Sequence, residues 1–166
     1  MPLPYPLLSG HGIALQALDM RHAAGLQAAS LDGAIFSIPY TTAPGPDLAS
    51  VEAYIQSAVE GYKAGVMQAF AVCNDAGDVL GTTRYYDIEL STPTLAIGYT
   101  FYAARVQRTH VNTACKLLLL QNAFETLAVR SVYFHTSHLN QRSQTAIGRL
   151  GASLDGILRQ HRLHKD

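Results

Sequence analysis

Residues 94–136, TLAIGYTFYAARVQRTHVNTACKLLLLQNAFETLAVRSVYFHT, change hydrophobic period twice, and that change decides the fold class. Thr94–Tyr102 is rich in β-branched and aromatic residues and reads as a strand. Val111–Ala128 reads as a helix, with Leu117, Leu120, Phe124 and Leu127 on one stripe. The run Leu117–Leu120 spreads apolar surface around most of the cylinder, as in a helix buried against a sheet. Arg130–Thr136, centred on Val132, Tyr133 and Phe134, reads as a buried strand. A strand–helix–strand unit of this kind makes the chain α/β.

Working outward, Met67–Asn74 and Val79–Ile88 read as strands joined at Asp75-Ala76-Gly77-Asp78, a hairpin signal. A polar turn at Glu89–Thr92 then leads into the strand at Thr94, completing an antiparallel meander. Nearer the start, Gly12–Leu18 is a strand, and Asp19 caps a short helix through Met20–Ala29. Ser37–Asp47 holds three prolines and a glycine and is a loop. Asp47 then caps a helix over Ala49–Ala64, where Val51, Tyr54, Ile55, Ala58, Val59 and Tyr62 recur at helical spacing. Downstream, Asn140–Leu150 is a helix stopped by Gly151, and Ala152–Leu163 resembles one more strand.

The 166 residues suit one domain. Twelve basic residues balance twelve acidic ones, which argues against a nucleic-acid-coated surface. No stretch approaches the roughly 20 apolar residues of a membrane helix. The opening MPLPYPLLSGHG has no basic region and three early prolines, unlike a signal peptide. Cys73 and Cys115 lie in apolar runs and read as buried free thiols, with no metal spacing. A soluble cytoplasmic protein without a metal fits all of this.

Chemistry concentrates in Gln107–Lys116, QRTHVNTACK, where a strand gives way to a helix. A helix start presents unpaired backbone N–H groups and roughly half a positive charge. Such an end binds phosphate without many basic side chains. Arg105 and Arg108 stand beside it, and Thr109 or Asn112 can cap; a plain capped helix accounts for the same residues. Asn140-Gln141-Arg142-Ser143 opens the next helix, where Asn140 is equally well an N-cap. Gly98-Tyr99-Thr100 lies within a strand, and glycine there often marks a bulge or the close approach of a ligand.

The order of these pieces resembles the GNAT N-acetyltransferases, especially the RimJ/RimL-like branch. The resembling stretches are LLSGHGIALQAL, AFAVCNDAGDVLGTTRYYDI, AIGYTFY, the run QRTHVNTACKLLLLQNAFETLAVRSVYFHTSHLNQRSQTAIGRLGA, and GILRQHR. The resemblance implies a mixed, mostly antiparallel central sheet flanked by helices, with the fourth and fifth strands splayed to hold acetyl-CoA. It implies that Arg108, Thr109, His110, Val111, Asn112 and Thr113 cradle the pyrophosphate. Ile97, Gly98, Tyr99 and Thr100 would hold the pantetheine and acetyl groups. Asn140 and Ser143 would flank the sulfur, with Ser143 protonating the leaving thiolate.

The chain departs from the family pattern in three places. Where the superfamily writes R/Q-x-x-G-x-G/A, this chain has Thr109 and Val111, whose β-branches forbid positive φ and call for an ordinary helical entry. Ala96 and Ala114 stand where related proteins often carry glutamates. An aliphatic amine, of pKa about 10, must lose a proton before it attacks. Asp87, Glu89, His135 and His138 remain as bases; a water chain suffices for a peptide α-amine, and surface histidines are equally consistent with solvation. His135-x-x-His138 lacks the helical register of zinc motifs. Finally, the family continues into another strand after a segment like 159–166, and an unpaired sheet edge would favour a homodimer.

The expected activity is transfer of an acetyl group from acetyl-CoA to a primary amine, a protein N-terminus or a small molecule, by direct attack. Positioning and backbone N–H donation to the oxyanion would supply the catalysis, with Cys115 uninvolved. A catalytically impaired CoA-binding module, or an interaction protein on a GNAT scaffold, is the alternative, motivated by the two alanines. The acceptor would enter between the first two helices, the Ser37–Pro46 loop and the hairpin around Asp87–Thr92, near Tyr40, Tyr85 and Tyr86.

Overall fold

A computed structural model describes residues 2–159. Six strands form one sheet in sequential order: β1 Leu8–Gly10, β2 Ile13–Ala17, β3 Met67–Asn74, β4 Val79–Glu89, β5 Thr94–Tyr102 and β6 Ser131–Tyr133. Every neighbouring pair is antiparallel except β5 and β6, which run parallel. The helices are α1 Ala23–Leu31, α2 Leu48–Lys63, α3 Val111–Gln121 and α4 Gln141–Arg149. This is the mixed, mostly antiparallel α/β architecture expected from the sequence.

Local chemistry explains most boundaries. The Asp19 side chain accepts from the Arg21 amide, and Asp47 accepts from the Ser50 amide, so both start their helical segments as predicted. Asp19 initiates a 3-10 turn, Met20–His22, that feeds α1. Asn74 and Asp78 close the β3–β4 turn, the Asp78 amide donating to Asn74 Oδ1 at 2.8 Å. The short β1, which the sequence reading missed, joins β2 through His11 and Gly12, both at positive φ. Two consecutive left-handed residues make the twist that a two-residue hairpin needs.

Two apolar clusters cover the two faces of the sheet. Phe70, Val72, Tyr85, Leu95 and Ile97 pack with Val111, Cys115 and Leu119 of α3. Ala69, Ala71, Cys73 and Phe101 pack with Leu26 of α1 and Val51 and Ile55 of α2. Because β3 is buried on both faces, its hydrophobic alternation is weak. Cys73 and Cys115 are both buried and free.

Three expectations need correction. The α-helix ends at Gln121, and Asn122–Thr126 widens into a π-turn closed by the Leu127 amide on the Asn122 carbonyl. Leu117, before this turn, and Phe124, within it, are half-exposed, and the buried face is Val111, Ala114, Cys115, Leu119 and Ala123. The strand after α3 spans only Ser131–Tyr133 and is not buried, since α4 contributes no buried residue to cover it. Finally, residues 152–158 form no strand, and Leu154, Ile157 and Leu158 are exposed. The remainder of that expected strand lies outside the described residues. Among the described residues no helix is long and apolar enough to cross a membrane.

Candidate active site

Where β5 and β6 meet, their pairing runs Thr94 to Ser131, Leu95 to Val132 and Ala96 to Tyr133, then stops. β5 continues to Tyr102, so Ile97 onward has no strand beside it on that edge. The divergence coincides with a bulge. Between the pairs Thr82–Phe101 and Arg84–Gly98, β5 carries one extra residue, and Tyr99 sits at φ 50°. A bulge bends its strand and strengthens its twist, which turns this edge outward.

Gly98 serves this bend in a way the sequence did not reveal. A Cβ there would lie 2.8 Å from Cε1 of Tyr86, so the missing side chain makes room for a protein ring. That ring crosses β5 to reach His135 just beyond β6, with Tyr86 Oη 2.7 Å from His135 Nδ1. The bulge carbonyls are also engaged from within. Thr100 Oγ1 donates to the Gly98 carbonyl at 3.3 Å, and the Tyr54 hydroxyl donates to the Tyr99 carbonyl at 3.4 Å.

The start of α3 borders the open end of β5. His110 provides no side-chain cap; its Nε2 lies 3.1 Å from the His11 carbonyl. The first helical amide bond runs from Ala114 to the His110 carbonyl. The Val111 amide reaches Thr109 Oγ1 only at 3.4 Å, and the Asn112 and Thr113 amides have no acceptor among the described residues. As their β-branches require, neither Thr109 nor Val111 takes a positive φ; the left-handed residue is Arg108, one position before Thr109, at φ 62°. Arg108, Thr109 and His110 are exposed while Val111 turns its side chain into the core, so its backbone amide is what Val111 offers to the surface.

Opposite, the first residues of α4 close the site. Asn140 Oδ1 accepts from the Ser143 amide at 3.0 Å, the N-cap role that the sequence allowed. Arg142 Nη2 donates to Gln107 Oε1 at 2.6 Å, tying the α4 start to the segment before α3. Asn140 and Ser143 are both partly exposed. Of the four candidate bases, Glu89 is bonded by the Ser91 hydroxyl and by the Ser91 amide, which together hold its carboxyl below the ordinary value and weaken it as a base. Asp87 is exposed on a second bulge at φ 49°. His135 is joined to β5's open end through Tyr86, which packs against Tyr99. Tyr85, grouped with the acceptor side in the sequence, instead faces α3 and donates to the Leu119 carbonyl. Among the described residues no group of three or more His, Cys, Asp or Glu could hold a metal.

The site thus consists of a parallel strand pair whose pairing stops after Ala96, a bulge in β5 just beyond it, and bare amides at the start of the following helix. The acetyltransferase (GNAT) domain model matches residues 13–153. The chain belongs to the GNAT acetyltransferase family. A GCN5-related N-acetyltransferase from Brucella melitensis superposes with a TM-score of 0.85 at 27% identity, covering 99% of this chain and 75% of that one. The fold is also shared with RimL, a ribosomal L7/L12 α-N-protein acetyltransferase, at TM-score 0.82, 16% identity and coverage of 100% and 94%. Microcin C7 self immunity acetyltransferase MccE, solved with acetyl-CoA and AMP, matches at 0.80, 16% identity and coverage of 93% and 86%. No curated protein matches the sequence.

This GNAT enzyme is an acyltransferase, and acetyl-CoA, which supplies the acyl group as a thioester, is the co-substrate of its family. The residues present fit that co-substrate: unpaired N–H donors suit phosphate oxygens, and an unpaired strand edge suits the amide-bearing pantetheine arm. Sequence reasoning placed Tyr86 near the acceptor entry without its link to His135, and it missed Tyr54, Arg84 and Lys116. The available signal was a charge inside an apolar element, as at Arg84 within β4 and Lys116 within α3. Lys116 is buried, and desolvation pulls its ammonium down to about 8, partly opposed by the nearby Cys115.

Proposed function

We propose that this GNAT enzyme transfers the acetyl group to a primary amine, in the manner of the RimJ/RimL-like branch. The end of β5–β6 pairing at Ala96 carries the reading, because it leaves the backbone from Ile97 onward without a β6 partner, an edge that an amide-bearing arm can pair with. In this reading Arg108, Thr109, His110, Val111, Asn112 and Thr113 hold the pyrophosphate through backbone amides. Ile97, Gly98, Tyr99 and Thr100 line the pantetheine arm. Asn140 keeps the α4 start rigid, and Ser143, whose hydroxyl lies beyond that cap, gives the proton to the departing thiolate.

His135 takes the proton from the amine. In the tautomer that donates Nδ1–H to Tyr86 Oη, Nε2 is the acceptor, and imidazole is the side-chain type that exchanges protons near neutrality. Ala96 and Ala114 are buried and offer no alternative base.

The test mixes the protein with acetyl-CoA and a panel of small amines and N-terminal peptides, and measures thiol release. Turnover with any of them supports the reading. Thermal stabilisation by CoA without release across the panel would instead select a CoA-binding protein that no longer catalyses transfer.

A further inference from the structure

Two buried cations meet the Tyr99 bulge from opposite faces of the sheet. Neither pairs with a carboxylate among the described residues. From the α3 side, Lys116 is 6% exposed, and its Nζ donates to Thr100 Oγ1 at 3.0 Å and to Thr83 Oγ1 at 3.2 Å. Those hydroxyls lie 2.9 Å apart, and Thr100 Oγ1 in turn reaches the Gly98 carbonyl. From the α2 side, Arg84 is 2% exposed, its guanidinium carbon 4.2 Å from the Tyr54 ring centroid and 4.8 Å from that of Tyr99. Arg84 donates to Met67 Sδ and the Tyr54 carbonyl, while its buried Nε has no partner.

Burying a charge without a counter-ion is destabilising, so neither cation is explained by stability alone. Both contact the same short piece of β5. Lys116 holds Thr100 directly. Arg84 packs against Tyr99 and against Tyr54, whose hydroxyl binds the Tyr99 carbonyl. A non-glycine residue at positive φ persists only where its surroundings over-determine it.

We propose that Lys116 and Arg84 are positioning residues that clamp the Tyr99 bulge from the two faces of the sheet and so fix the β5 backbone against which acetyl-CoA lies. The proposal rests on the reading of Ile97–Thr100 as the lining of the acetyl-CoA groove. It differs from it in assigning the shape of that groove to two side chains that never touch the ligand.

The experiment titrates the full-length chain with CoA by calorimetry. It compares wild type with Lys116→Met, Arg84→Met, Thr83→Val and Thr83→Ser, each first shown folded by circular dichroism. CoA affinity falls about tenfold in Lys116→Met, Arg84→Met and Thr83→Val, and stays within about twofold in Thr83→Ser, which keeps the hydroxyl. The Thr83 pair removes only the hydroxyl that holds Lys116 Nζ and Thr100 Oγ1, at a residue outside the groove lining, and keeps the test decisive if a cation variant fails to fold. Wild-type affinity in Thr83→Val and in every folded cation variant would overturn the clamp and leave the groove standing. Failure of wild type to bind CoA would overturn the groove reading, and the clamp with it.

Discussion

Tyr86 and His135 are 49 positions apart, yet their side chains meet at 2.7 Å across the face of β5. The contact exists because Gly98 has no Cβ beneath the Tyr86 ring. It holds the residue just past β6 where β6 has already left β5. The Tyr99 ring packs edge-on against the same tyrosine, with centroids 5.1 Å apart.

If this pair handles the acceptor's proton, His135→Gln lowers kcat by about 100-fold with little change in the KM for acetyl-CoA. Tyr86→Phe lowers kcat less, because it removes only the group that orients the ring. Steady-state kinetics over a pH series decides the matter; a His135→Gln enzyme with full kcat and the wild-type pH profile would point to water as the base.

Ser143→Ala separates proton donation from binding. The Ser143 amide, not its hydroxyl, carries the cap to Asn140, so the helix start survives the substitution. We expect kcat to fall by about 10- to 100-fold while CoA affinity by calorimetry stays near wild type. Asn140→Ala, by contrast, loses the cap, about 1 kcal/mol of stability in denaturant titration.

Gly81 tests the packing of the central strands. A Cβ there would lie 2.1 Å from the Phe101 carbonyl oxygen, a backbone atom with no freedom to yield. Gly81→Ala is therefore expected to destabilise by about 3 kcal/mol. Gly156→Ala, which meets nothing within 4 Å, is the control and shifts the midpoint negligibly.

His22 gives the fold a predictable acid sensitivity. It is buried, its Nδ1 accepts from the Asp19 amide, and Nε2 lies 3.3 Å from Gln16 Oε1, an arrangement that suits the neutral ring. Burial pulls its pKa below 6.5, despite the opposing pull of Asp19. The unfolded chain thus takes up the proton first, so stability present above about pH 6.5 is lost as pH falls through and below that value. Denaturant titrations of wild type and His22→Asn should converge on acidification; a gap that stays constant would show that the ring does not titrate differently on folding.

Much of the fold was legible because its signals are local. The strands Met67–Asn74 and Thr94–Tyr102 appear with the boundaries read from composition and turns, and the caps at Asp19, Asp47 and Asn140 form as their residue types dictate. Period-2 and period-3.6 patterns and capping side chains act within a few residues, so one chain read in order is enough to find them. The π-turn at Asn122–Thr126, the brevity of β6 and the irregular path of residues 152–158 were not legible. Each depends on what packs, or fails to pack, against the segment.

For the site the division is sharper. The sequence by itself determined the helix start at Val111, the Asn140 cap and a glycine within β5, all features of backbone chemistry. Only the tertiary structure decided that Tyr86 fills the space above Gly98, that Tyr85 faces away from the acceptor side, and that Lys116 and Arg84 converge on one bulge. These are contacts between residues 12 to 49 positions apart. No local preference encodes them; they exist because the twist of the sheet and the crossover through α3 bring distant side chains within bonding distance.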